Sequence, residues 1–139
     1  MKYLLDTCVI SELAKPLPNK KVISWVNRNE EENFFLSSLT FGELHKGVSR
    51  LPPSKRKENL HQWVEYDLKE RFASRILDVN LMVAKVWGEL QGRSEVKGRP
   101  MPTIDSLIAA TGVAHDLIVV TRNIADMEQS GVSLLNPWE

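Results

Sequence analysis

The sequence predicts an α/β domain in which a short, mainly parallel sheet carries helices on both faces. Short apolar runs alternate with longer amphipathic segments, the order expected when each strand is followed by a covering helix. At 139 residues, 42% hydrophobic and 26% charged, the chain has the size and balance of one ordinary domain with its own core. No repeat, low-complexity segment or linker divides it, so residues 1–139 are expected to fold as a single unit.

Taken in order, Tyr3-Leu4-Leu5 reads as a first buried strand. Val9-Ile10-Ser11-Glu12-Leu13 begins a short helix that Pro16 and Pro18 stop. Val22, Ile23, Trp25 and Val26 mark the buried stripe of a second helix. Phe34-Phe35-Leu36-Ser37 is a strand, and Ser38 or Thr40 is expected to cap the helix after it, with Leu39, Phe41, Leu44 and Val48 making that helix largely buried. Leu51-Pro52-Pro53-Ser54 is the clearest break, too short to separate two domains. Ser54 can cap a helix to about Phe72, with Leu60, Trp63, Val64 and Leu68 inward. Ile76-Leu77-Asp78-Val79 reads as a strand, and Met82, Val83, Val86, Trp87 and Leu90 as the apolar stripe of a periodic helix. Val96 to Pro102 is a basic, turn-rich loop. A helix follows from Thr103, its expected cap, to about His115; then come a strand at Leu117-Ile118-Val119-Val120-Thr121 and an edge strand at Val132-Ser133-Leu134-Leu135.

Charge and cysteine content narrow the class. Eighteen basic residues balance eighteen acidic ones, so no global field draws the chain to a polyanion, and any such partner must be held by a local basic patch. Cys8 is the single cysteine, which excludes an internal disulfide and fits a reducing compartment. An acid at position 6 comes too early for a signal-peptide core, and no stretch approaches a membrane span. A cytoplasmic protein without membrane contact is expected.

Three carboxylates stand out by position. Asp6 ends the first strand, Glu43 lies in the helix after the second, and Asp105 sits in the first turn of the last long helix. Each has a plain reading: a cap for Asp6, an exposed helix face for Glu43, dipole complementation for Asp105. Yet an acid at the carboxyl end of a central strand is where open parallel sheets place their sites. A buried carboxylate such as Glu43 is costly unless it meets a cation. Brought together, three acids form a hard-oxygen site suited to a magnesium-type ion, the usual equipment for phosphodiester cleavage. Asn123, after the strongest strand, suits a turn and could equally bind a water on the ion.

Several motifs in this order resemble those of PIN-domain proteins, above all bacterial VapC-type toxins: Leu4-Leu5-Asp6-Thr7 with Val9-Ile10-Ser11-Glu12; Leu36 to Leu44 with Gly47; Met101 to Ala110; and Val120-Thr121-Arg122-Asn123 through Asn136-Pro137-Trp138. The likeness covers nearly the whole chain. It implies a metal-dependent endoribonuclease that binds Mg²⁺ or Mn²⁺ and cleaves RNA with a metal-activated water. Such a protein acts as a homodimer and is silenced by a small cognate antitoxin. By position, Asp6, Glu43 and Asp105 become the acidic triad, and Asn123 falls where many relatives carry a fourth acid. Asp126 is held in reserve. Thr7 and Thr121 could support the acids through hydroxyl hydrogen bonds. Cys8 stands where relatives often have asparagine.

Arg122, Lys46 and Arg99 are the candidate RNA-phosphate contacts, with Arg122 favoured for its place beside Asn123. The run Lys55-Arg56-Lys57 reads as a solvated face. His45, His61 and His115 lack zinc-ligand spacing, and the four tryptophans fit core or interface packing. Cys8 lacks the arginine six residues on that a phosphatase loop requires, and no glycine-rich phosphate loop follows a strand. The rival expectation, kept open by Asn123, is a PIN-like RNA-binding or regulatory module that no longer cuts.

Overall fold

The computed structural model describes residues 1–139. Five strands, β1 (Tyr3–Leu5), β2 (Phe34–Ser37), β3 (Ile76–Leu77), β4 (Ile118–Val120) and β5 (Leu134–Leu135), lie in the order β3-β2-β1-β4-β5. Every pairing is parallel, so the sheet expected to be mainly parallel is wholly so. Helices α1 (Thr7–Leu13) and α2 (Lys20–Asn27) follow β1, and α3 (Ser38–Ser49) follows β2. Helix α4 (Lys55–Gln62) runs through a π-helical stretch, Trp63–Leu68, into α5 (Lys69–Arg71). Helices α6 (Leu81–Val96) and α7 (Thr103–Ala114) separate β3 from β4, and α8 (Ile124–Met127) separates β4 from β5. No helix is long and apolar enough to cross a membrane.

Because side chains alternate along a strand, neighbours in β1 feed opposite layers. Tyr3 and Leu5 join Phe34, Leu36 and Val120 beneath α1, α2 and the π stretch, whereas Leu4 and Val119 meet Ile108, Ala109 and Met127 on the other face. The first layer is pinned by an aromatic group, with Tyr3 edge-on to Trp25 at 5.0 Å and Trp25 tilted on Phe34 at 5.5 Å between centroids. In the second layer α7 approaches β4 closely. A Cβ on Gly112 would stand 2.7 Å from Val119 Cγ2, so a glycine is what lets the helix seat there. A third cluster joins Val83 and Leu90 of α6 to Met101 and Ala110.

Several local expectations change. The cap of α3 is Ser37, whose hydroxyl accepts from Leu39 N–H at 3.1 Å; Ser38 and Thr40 are already helical. Only Thr40 and Val48 of α3 are buried; Leu39, Phe41 and Leu44 pack on the core while remaining half-buried, and Leu44 and Val48 also line a groove. Pro102 occupies the cap position of α7 without a capping side chain, so Thr103 begins the helix instead of capping it. Strand β3 stops at Leu77 because pairing with β2 ends at Ser37. Met82 is 47% exposed, and the inward stripe of α6 runs through Val83, Leu90, Gln91 and Ser94. Ser54 does cap α4, accepting from Lys57 N–H at 3.1 Å. Lys57 then turns back to donate to Leu51 O at 3.0 Å, tying the Pro-Pro break to α4 rather than leaving a wholly solvated basic run.

Candidate metal centre

The topology creates the site. From β1 the chain crosses to β2 on one side, while β4 returns on the other, so the crevice beyond the carboxyl ends of β1 and β4 is a switch point of the sheet. Leu5 is in register with Val120, which sets the next residues, Asp6 and Thr121, side by side. Asp6 N–H donates to Val120 O at 2.9 Å, continuing the ladder by one rung.

Asp6 is 3% exposed and bonded at both oxygens. Its Oδ1 accepts from Thr7 N–H at 2.8 Å, capping α1, and its Oδ2 accepts from the Thr121 hydroxyl at 2.8 Å. Capping and a place in the acid cluster are thus one geometry. Glu43 reaches the same place from α3, where the Thr7 hydroxyl donates to its Oε1 at 2.6 Å and lies 3.1 Å from the Thr40 hydroxyl. One threonine therefore steadies two acids, through its amide and through its side chain. Thr121 holds Asp6 and also accepts from Asn123 N–H at 2.9 Å.

Asp105 makes no side-chain hydrogen bond to these groups; its link to them is electrostatic. Burial, then the charges of Asp6, Asp126 and Glu43, push its carboxyl up to about 6. Burial also raises Asp6, with Thr121 and Thr7 N–H opposing the shift and Glu43 adding to it. Carboxylate charges that raise a neighbouring acid's affinity for protons make a negative field that a cation would relieve. The donors are all hard oxygens, which fits a divalent ion of the magnesium type. No three histidine, cysteine or carboxylate side chains sit close enough together to enclose a cation on their own.

The sequence-derived candidates separate into two groups. Asp6, Thr7, Glu43 and Thr121 form one bonded network, and Asp105 joins it through charge. Asn123 is exposed, and its side chain caps nothing; its backbone alone touches the network. Asp126, in the first turn of α8, is, with Asp6 and Glu43, one of three acids whose charge reaches Asp105. By the family resemblance Asp126 matches a position outside the usual acidic set, which leaves it a reserve in the sequence; the fold is what brings its charge to bear on Asp105. Lys46 and Arg99 are exposed, and neither charge is among those that shift Asp6 or Asp105. Arg122 pairs with Glu12 at 3.7 Å. Glu12, unassigned from sequence, is 6% exposed and accepts from Asn19 N–H at 2.9 Å. Cys8 closes the back of the site, its sulfur 3.8 Å from Asp6 Oδ2 and its thiol raised by burial and by that charge.

Beside Glu43 and Thr7 opens a groove of about 550 Å³ between α1, α3 and α4, with Leu44, Val48, Leu60 and Trp63 on its walls. A wider polar groove of about 1090 Å³ near His45 and His61 contains none of the four acids, so size alone would point away from the chemistry.

This acid-rimmed, wholly parallel α/β fold is that of a PIN domain, and the chain belongs to that family: the PIN-domain profile matches residues 3–127. Within it the chain is 34% identical to the VapC ribonuclease Y4jK of Sinorhizobium fredii, over 98% of this chain and 97% of the relative. It is 36% identical to the toxin FitB of Neisseria gonorrhoeae, over 97% of each. The crystal structure of FitAcB from Neisseria gonorrhoeae superposes with a TM-score of 0.93 at 36% identity, covering 99% of both chains.

Proposed function

We propose that this chain is a metal-dependent endoribonuclease and the toxin of a toxin–antitoxin pair. The observation that carries the reading is the bonded network that brings Asp6 and Glu43 together through Thr7 and Thr121 at the switch point, beside Asp105, whose carboxyl burial and then the charges of Asp6, Asp126 and Glu43 push up to about 6. The names of the VapC ribonuclease and toxin relatives support it. Asp6, Glu43 and Asp105 would hold Mg²⁺ or Mn²⁺, with Asp126 close enough in charge to contribute. When bound, such an ion polarises the phosphate, stabilises the developing charge and lowers the pKa of an attacking water.

The chain's own groups set the geometry of that reaction. Thr121 and the Thr7 amide fix both oxygens of Asp6, so that carboxylate cannot rotate away. The Thr7 hydroxyl fixes Glu43 Oε1, which leaves Oε2 to orient a water and accept its proton as general base. RNA is the substrate, and a small antitoxin is the partner that silences the site. The apolar groove beside Glu43 gives an amphipathic partner segment a surface to rest on.

The test is cleavage of mixed RNA by purified protein with Mg²⁺ or Mn²⁺. Asp6→Asn and Asp105→Asn are expected to lower the rate at least about 100-fold while melting stays cooperative. Full activity in both folded variants overturns the reading. RNA binding without cleavage by the unsubstituted chain turns it into the non-cutting regulatory module.

A further inference from the structure

We infer that the RNA backbone leaves the acid site over Arg122 and lies in a basic groove between α2 and the C-terminal segment. This rests on the nuclease reading above and adds the surface that holds the strand. The chain's formal charges sum to zero, so a polyanion has to be gripped by a local surplus. One runs outward from the acids.

Arg122 N–H donates to Cys8 Sγ at 3.5 Å, and that sulfur lies 3.8 Å from Asp6 Oδ2, so Arg122 begins one side chain away from the site. Its guanidinium is held from two sides. It lies 4.2 Å over the ring of Trp138 and 3.7 Å from Glu12 Oε1. Glu12 also accepts from Lys15 Nζ at 3.1 Å, and its bond from Asn19 N–H, with Lys15 second, holds its carboxyl below the usual range. One buried anion thus positions two cations and leaves a net positive charge on the rim.

The same residue ties the rim to the next element. Asn19 is the N-cap of α2, so Glu12 seats the start of that helix, where Lys20 and Lys21 stand exposed. These lysines and Arg28 line a groove of about 510 Å³ whose opposite wall is Leu135, Asn136 and Pro137, the residues leading into Trp138. Glu139 is the one acid on its lining. The inferred path runs from Asp6 past Arg122 and Trp138, which follows Pro137 of the groove wall in the chain, to Lys20, Lys21 and Arg28. Neither Lys46 nor Arg99 lines it. In these terms Trp138 and Glu12 are positioning residues that act through Arg122.

The experiment measures fluorescence anisotropy of a short fluorescein-labelled single-stranded RNA of mixed sequence, using the Asp105→Asn chain to prevent cleavage. Replacing Lys20, Lys21 and Arg28 together by alanine is expected to weaken binding at least about tenfold at low salt. It should also flatten the log–log salt dependence by about 2, since each cation on a single strand contributes about 0.7. Trp138→Ala should lose affinity as Arg122→Ala does, and Trp138→Phe should restore it, because the Trp138 Nε1–H has no partner to lose. In the cutting-competent chain the triple variant should raise KM and leave kcat unchanged. Lys85→Ala with Arg93→Ala, on the exposed side of α6, serves as the control and should change nothing. A chain that binds and cuts RNA but ignores the triple substitution, or loses as much from the α6 control, overturns the groove alone. A chain that neither binds nor cuts RNA overturns the nuclease reading and the groove with it.

Discussion

Replacing Asp105 by asparagine should make the protein more stable in the absence of divalent ions while removing the charge a bound ion needs. The carboxyl rises from 3.8 to about 6 on folding, through burial and the charges of Asp6, Asp126 and Glu43. A shift of that size corresponds to about 3 kcal/mol disfavouring the charged form. Asp105 is only partly buried, and solvent screening reduces the cost to roughly 1–2 kcal/mol. The asparagine gives back about 0.5 kcal/mol of dipole complementation in the first turn of α7. A net gain of about 1 kcal/mol remains, which for a chain of this length raises Tm by about 4 °C. The sign follows from proton binding. Between pH 3.8 and about 6 the folded carboxyl binds its proton more tightly than the unfolded one, so the wild-type contribution is intact below pH 3.8 and is lost as pH rises through about 6. Urea melts of both chains with chelator should therefore diverge from acid towards neutral pH, the variant being the more stable at pH about 8. Adding Mg²⁺ to 100 times its Kd should stabilise the wild type by about 2.7 kcal/mol and the variant by less. A variant less stable than wild type at neutral pH, or an advantage that does not change between acid and neutral pH, refutes the shared-field account of the site.

Other outcomes follow from the same geometry. Asn123→Asp should tighten binding of a second Mn²⁺ and Asp126→Asn should loosen it; calorimetric titrations that leave stoichiometry and affinity unchanged in both would place these residues away from the ions. The isolated chain should dimerise, since Leu81, Val96 and Tyr66 are exposed apolar side chains on a protein of balanced charge; sedimentation showing only monomer at micromolar concentration speaks against it. An arginine in the tail of a co-expressed antitoxin should silence cleavage by pairing with the acids. Replacing that arginine should restore activity with the complex still assembled, and inhibition that survives replacement of every tail arginine points to another route.

By itself the sequence determined what short-range rules govern. Apolar runs such as Tyr3–Leu5 and Ile118–Val120 have few ways to be buried other than as central strands, and the Ser54 cap, the proline stops and the α2 stripe act within a turn or two of themselves. Asp6, Glu43 and Asp105 were legible as candidates because of where they stand relative to those elements and because their order matches a known family. Tertiary structure alone decided the relations between them. Leu5 pairing with Val120 places Thr121 on Asp6, and the crossing of α1 and α3 places the Thr7 hydroxyl between Thr40 and Glu43. The charge of Asp126 on Asp105 and the grip of Glu12 on Arg122, 110 positions apart in the chain, have no local signature at all. Hydrophobic periodicity fixes which face of an element is buried. Which polar groups then meet depends on register and on how helices return over the sheet, and those are set by the packing of the whole core.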